Sequence, residues 1–156
     1  MLIDLVVPEG VELTTLLDEV RKLSWTAADI LMAYARGEEP SYGFPKTLTV
    51  KEGGDGPVSA ADMAVNQLLI SGLKDNMTYQ EWDILSEESS KEKKIQVTNL
   101  KQDWCWIIDP LDGTKDFLQG SENYAVHIAL VHKQKPKIGI VLIPERNELW
   151  FGVIGS

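Results

Sequence analysis

The chain has 156 residues, 44% of them hydrophobic, enough for one globular domain with a substantial core. A net charge of −9 argues against a surface built to grip polyanions such as nucleic acid, although an acidic protein can still bind phosphates where metal ions neutralise the site. The single cysteine excludes an intrachain disulfide, no apolar run approaches membrane-spanning length and the first residues lack a basic leader region. The default setting is therefore a soluble, reducing one, read as cytoplasmic.

In chain order, residues 11–36 come first and read as one long helix. Leu13, Leu16, Leu17, Val20, Leu23, Ala27, Ile30, Leu31 and Tyr34 recur at helical spacing, with most charges on the other side. Gly37 supplies the stop and Pro40 follows it. Packing on a sheet is the whole expectation for this helix. Residues 47–51 alternate as a short strand, and Glu52-Gly53-Gly54-Asp55-Gly56-Pro57 reads as a glycine-rich loop or an ordinary hairpin connection. Lys51 before it either meets phosphate or is simply solvated. Val58 to Asp62 opens a second helix running to about Lys74, with Ala61, Val65, Leu68, Leu69 and Leu73 as its apolar stripe. Ser59-x-x-Asp62 has capping-box spacing, which gives Asp62 a local role at the third helical position.

Asp83-Ile84-Leu85-Ser86 reads as a strand that delivers Glu87 to a sheet edge, and the charges of 91–94 read as a solvated loop. A second apolar strand, Trp104 to Ile108, encloses Cys105, whose expected role is packing. Pro110 is expected to stop that strand. Asp109 and Asp112 then flank a turn ending in Gly113, and Thr114 to Phe117 reads as the first turn of a short helix. Asp before Pro and Asp before Gly are common turn formers, and Asp-Gly also suits a hairpin. Yet the two carboxylates together offer the hard oxygen ligands that magnesium prefers, and the Gly113 and Thr114 amides suit an anion at a helix start. The aspartyl-phosphate signature, Asp-x-Asp-Gly-Thr, is excluded, because Pro110 breaks its spacing. Residues 124–131, 137–143 and 148–153 read as three more strands, and their short turns imply antiparallel neighbours. His127 reads as a structural histidine within a strand, His132 as a solvated strand end.

Asp-Pro-x-Asp-Gly-Thr-x-x-Phe at 109–117, with Glu87 in Leu85-Ser86-Glu87-Glu88-Ser89, resembles the inositol monophosphatase superfamily of magnesium-dependent, lithium-sensitive phosphatases. Lys115-Asp116-Phe117 is similar to the 3′(2′),5′-bisphosphate nucleotidase branch, which has Lys-Glu-Phe or Lys-Glu-Tyr there. The resemblance implies an α+β domain, two helices on a mainly antiparallel sheet, forming the first half of the layered sugar-phosphatase fold. It implies that Glu87, Asp109, Asp112 and the Leu111 carbonyl hold magnesium, in two or three ions, with manganese as a substitute. It makes Asp62 a catalytic partner of the Thr114 hydroxyl, and assigns Gly113, Thr114 and Lys115 to the substrate. The glycine-rich loop becomes an active-site flap on this reading, with Glu88 near a further metal. The substrate implied is 3′-phosphoadenosine 5′-phosphate, with an inositol monophosphate or a sugar bisphosphate as the alternative. The resemblance spans this whole chain but only the first half to three-fifths of a family protein. A Trp-Asp-x-Ala-type segment, whose aspartate completes the metal cluster, has no counterpart here; Trp82-Asp83 lacks the alanine context. A non-catalytic metal-binding half, associating with its own kind or with the later domain, is therefore also open.

Overall fold

Leucine, valine and alanine at every third or fourth position close the first helix, α1, over Leu13–Ala35. Its buried face runs from Leu16 through Val20, Ala27 and Leu31 to Tyr34. Ser24, fully buried on that face, satisfies its hydroxyl by donating to the Val20 carbonyl at 2.8 Å. At the C-terminus the Gly37 and Glu38 amides return to the Tyr34 and Ala33 carbonyls, a Schellman closure with Gly37 at φ +66°. The computed structural model describes residues 5–38, 40, 50–53, 56–75, 82–87 and 101–155. Expectations for 47–49, Glu88 and the charged run 91–94 lie outside these residues, as do the side chains of Lys51, Glu52 and Ser59.

The glycine-rich stretch is a hairpin connection. Strands β1 (Val50–Gly53) and β2 (Gly56–Ser59) pair antiparallel, with Gly53 opposite Gly56. The first strand includes Val50 and Lys51 of the 47–51 expected and runs on to Gly53, and its partner takes Val58 and Ser59, which were expected to open the second helix. That helix, α2, spans Ala60–Asp75. Gly72 lets it approach α1 closely: a Cβ there would sit 2.4 Å from a Leu23 methyl.

Among the described residues, five strands form the main sheet, in the order β3 (Asp83–Ser86), β4 (Trp104–Asp112), β5 (Ala125–His132), β6 (Lys135–Ile143) and β7 (Glu148–Val153). β3 and β4 run parallel; the other neighbours are antiparallel. Lys133 and Gln134 turn β5 into β6 with φ of +48° and +67°, the two-residue geometry that matches strand twist. Trp106, Ile108, Ile128, Leu130, Ile138, Ile140 and Leu142 face the helices and share one core with them. Leu85, Ile107, Ala129 and Val141 lie on the other face, which both helices leave uncovered. This is an α+β architecture, as expected.

Candidate active site

Pro110 does not end β4. The register steps from Asp109 opposite His127 to Asp112 opposite Ala125, so three residues of β4 advance past two of β5. The extra residue is a bulge, where a proline without an N–H is tolerated and the strand bends. Asp109 and Asp112 therefore project near one another from one bent strand end, rather than from a turn. Gly113 then takes φ +86°, and a Cβ on it would lie 2.6 Å from the Asn123 carbonyl oxygen. Only glycine fits this junction. The short helix α3 follows at Thr114–Leu118. It is backed by an edge-to-face contact between Phe117 and Tyr124, and the Tyr124 hydroxyl donates to Glu145 at 2.6 Å.

The Thr114 hydroxyl is the hub. It faces Asp62 Oδ1 at 3.0 Å and the Leu111 carbonyl oxygen at 3.3 Å, with one proton to donate. Asp62, in the first turn of α2, is fully buried. The capping-box reading needs the Ser59 side chain, which lies outside the described residues; Asp62 itself reaches across to α3. One helical turn later, buried Asn66 accepts a hydrogen bond from Ser86, the residue before Glu87. One face of α2 thus ties down both α3 and the end of β3.

Glu87 and Asp109 are half-buried and line an open groove of about 430 Å³ with Leu85, Ile107, His127 and Val141. Asp109 Oδ1 is buried and unpartnered. Burial, the hydrogen bond that the protonated Asp109 carboxyl donates to Glu87, and the charges of Glu87 and Asp112 push it up to about 8; the Leu111 amide pulls the other way. Asp112 is exposed, as is Lys115. An orphaned buried carboxylate oxygen beside two further carboxylates fits a hard divalent cation, which would satisfy that oxygen and relieve the repulsion. Among the described residues, however, no three such side chains already form a closed metal cage.

Two histidine expectations change. His127 is no enclosed structural residue: it is half-exposed in the groove, with Nε2 3.7 Å from Asp112 Oδ2. His132 stacks on Trp104 with ring centroids 4.3 Å apart. Cys105 packs as expected, its thiol pushed up to about 11 chiefly by burial.

Residues 12–156 match the model of the inositol monophosphatase family. The chain belongs to this family. Within it, the chain is 32% identical over 143 residues to the 3′(2′),5′-bisphosphate nucleotidase CysQ of Escherichia coli K12, covering 90% of this chain and 53% of that protein. The chain thus spans about half the length of the curated relatives it matches. An inositol monophosphatase from Thermotoga maritima superposes with a TM-score of 0.69 at 26% identity, over 91% of this chain and 49% of that one. An IMPase/NADP phosphatase complexed with Mg2+ and phosphate shares the fold at 18% identity and a TM-score of 0.66, covering 92% and 48%. Family members are phosphatases and the family is metal-dependent. No helix among the described residues is long and apolar enough to cross a membrane.

Asn66 and His127 escaped the sequence reading. Asn66 lies four residues after Asp62, so helical spacing alone could have placed both on one face. His127 joins the site only through the bulge, which no residue pattern announced.

Proposed function

We propose that this chain carries the hydrolytic centre of a magnesium-dependent phosphomonoesterase acting on 3′-phosphoadenosine 5′-phosphate to release AMP and phosphate. The observation that carries the reading is the Thr114–Asp62 hydrogen bond, which joins two elements across residues 52 positions apart, at the start of the helix that follows Asp109 and Asp112. Glu87, Asp109, Asp112 and the Leu111 carbonyl are the groups that would hold two or three magnesium ions, or manganese in their place. When bound, such ions supply Lewis acidity towards water and phosphoryl oxygen. Thr114 donates its proton to Asp62, which leaves its lone pairs free to accept a proton from the attacking water. Buried Asp62 is the proton's destination, and its burial keeps the hydroxyl in one orientation. Gly113, Thr114 and Lys115 orient the phosphate for in-line attack, and the leaving oxygen takes its proton from solvent.

The substrate choice rests on Lys115-Asp116-Phe117 and on the similarity to bisphosphate nucleotidases. The Thermotoga likeness keeps an inositol monophosphate as the alternative. The openness of the groove favours one other reading, a metal-binding half whose activity needs a partner surface. Phosphate release from 3′-phosphoadenosine 5′-phosphate, inositol 1-phosphate and a sugar bisphosphate, with magnesium present, separates these. In the active enzyme, Asp62→Asn is expected to cost about 10²-fold in turnover while stability changes by about 1 kcal/mol. A variant that melts much earlier but keeps its turnover per folded molecule would return Asp62 to a capping role.

A further inference from the structure

We infer that His127 is a positioning residue of the site: it holds the outer carboxylate, Asp112, so that the cation-binding oxygens of Asp109 and Asp112 face the groove together. The inference rests on the reading of these carboxylates as metal-holding groups. Three observations converge on His127. It is the direct cross-strand partner of Asp109. Beyond it, the bulge brings Asp112 opposite Ala125, two residues from His127 on the same face of β5, and Asp112 Oδ2 comes within 3.7 Å of His127 Nε2. The imidazole also lines the groove that Glu87 and Asp109 line.

The physical need is clear. Asp112 sits at the end of a bent strand with its side chain 59% exposed, and an exposed carboxylate samples several rotamers. Asp109, by contrast, is fixed by the strand and by Glu87. If both carboxylates are to hold a cation, ordering the second one would cost part of the binding free energy. An imidazole N–H directed at one Asp112 oxygen confines the carboxylate and leaves the other oxygen for the metal, as outer partners of ligating carboxylates do. At 3.7 Å the contact is longer than a hydrogen bond, and a small rotation of either side chain would close it.

The protein contains two histidines, which gives the test an internal control. His132 lies five residues further along β5, roughly 16 Å away, stacked on Trp104. Imidazole resonances followed by NMR during magnesium addition should shift for His127 and stay fixed for His132; trace manganese should broaden the first set selectively. In calorimetry with magnesium, His127→Phe should weaken binding about tenfold. His127→Asn, which keeps an N–H donor, should recover most of that loss, and the metal-free melting temperatures of both variants should match the parent. Magnesium affinity unchanged in His127→Phe but greatly reduced in Asp112→Asn overturns the role of His127 alone. Unchanged affinity in Asp112→Asn removes the metal reading itself, and this inference with it. A His127→Phe loss that His127→Asn fails to recover also overturns the positioning role, since the N–H would then be irrelevant.

Discussion

Asp109 concentrates the chemistry of the site in one side chain. Its carboxyl is pushed up to about 8 because burial and the neighbouring Glu87 and Asp112 all disfavour its charge. In the unfolded chain the same group titrates near 4. Between those values the metal-free folded protein holds a proton that the unfolded chain has lost. Stability should therefore fall as pH rises from about 4 to about 8, opposite in sign to an ion-paired carboxylate. A divalent cation must displace that proton. Magnesium binding at pH 7 should release close to one proton and tighten as pH rises. Calorimetry in buffers of different ionisation enthalpy reads the proton directly; a buffer-independent heat would mean that Asp109 is already ionised. The sequence made Asp109, Asp112, Glu87, Thr114 and Asp62 legible as candidates, because their residue types and order carry the chemistry. It could not show that one Asp109 oxygen is buried without a partner, because that depends on atoms brought in from other elements.

At the scale of elements, helical spacing recovered α1 and most of α2, and apolar runs recovered the strands of the main sheet, even the four-residue β3. Both failed where a single residue decides between continuing and turning. Pro110, just after the apolar run 104–108, looked like a terminator, yet the bulge absorbs it and β4 reaches Asp112. The β1–β2 hairpin was open in the sequence as one of two readings of the glycine-rich stretch, but β2 was not, because Val58 and Ser59 were assigned to the helix that follows. The junction between β4 and α3 carries the sharpest element-level prediction. Gly113 combines φ +86° with a neighbouring carbonyl oxygen 2.6 Å from where a Cβ would go. Gly113→Ala must therefore strain the backbone and push α3 away from Asp62. The expected cost is about 2 kcal/mol or more, read as a lowered denaturation midpoint, together with weakened magnesium binding. Gly120, with φ +78° but nothing near its missing Cβ, is the control, and alanine there should cost less.

For the molecule as a whole, what matters is that, among the described residues, helices cover one face of the sheet and not the other. α1 and α2 bury the inner face, while the opposite face presents Leu85, Ile107, Ala129 and Val141 half-exposed around the carboxylate groove. Among the described residues β7 is the last strand of the sheet, and its cross-strand partner for Trp150 is Val141, which places the indole on that same face. Trp150 is 65% exposed, Phe151 on the helix side 59%, and Ile154 beyond the strand 54%. Among the described residues no strand pairs with the outer edge of β7, and its exposed apolar side chains are offered to another chain. Residues 1–156 produced alone should accordingly self-associate through β7, seen by light scattering as a mass that rises with concentration. Trp150→Lys combined with Phe151→Lys should restore a monodisperse species, since charge on an edge strand opposes pairing. The same openness bears on catalysis, because a groove that leaves the substrate in water weakens every electrostatic contact made to the phosphate. The 156-residue chain should thus release phosphate from 3′-phosphoadenosine 5′-phosphate far more slowly than an ordinary enzyme of a few turnovers per second. A strictly monomeric chain that hydrolyses this substrate at ordinary rates would show that the open face needs no cover for either solubility or chemistry.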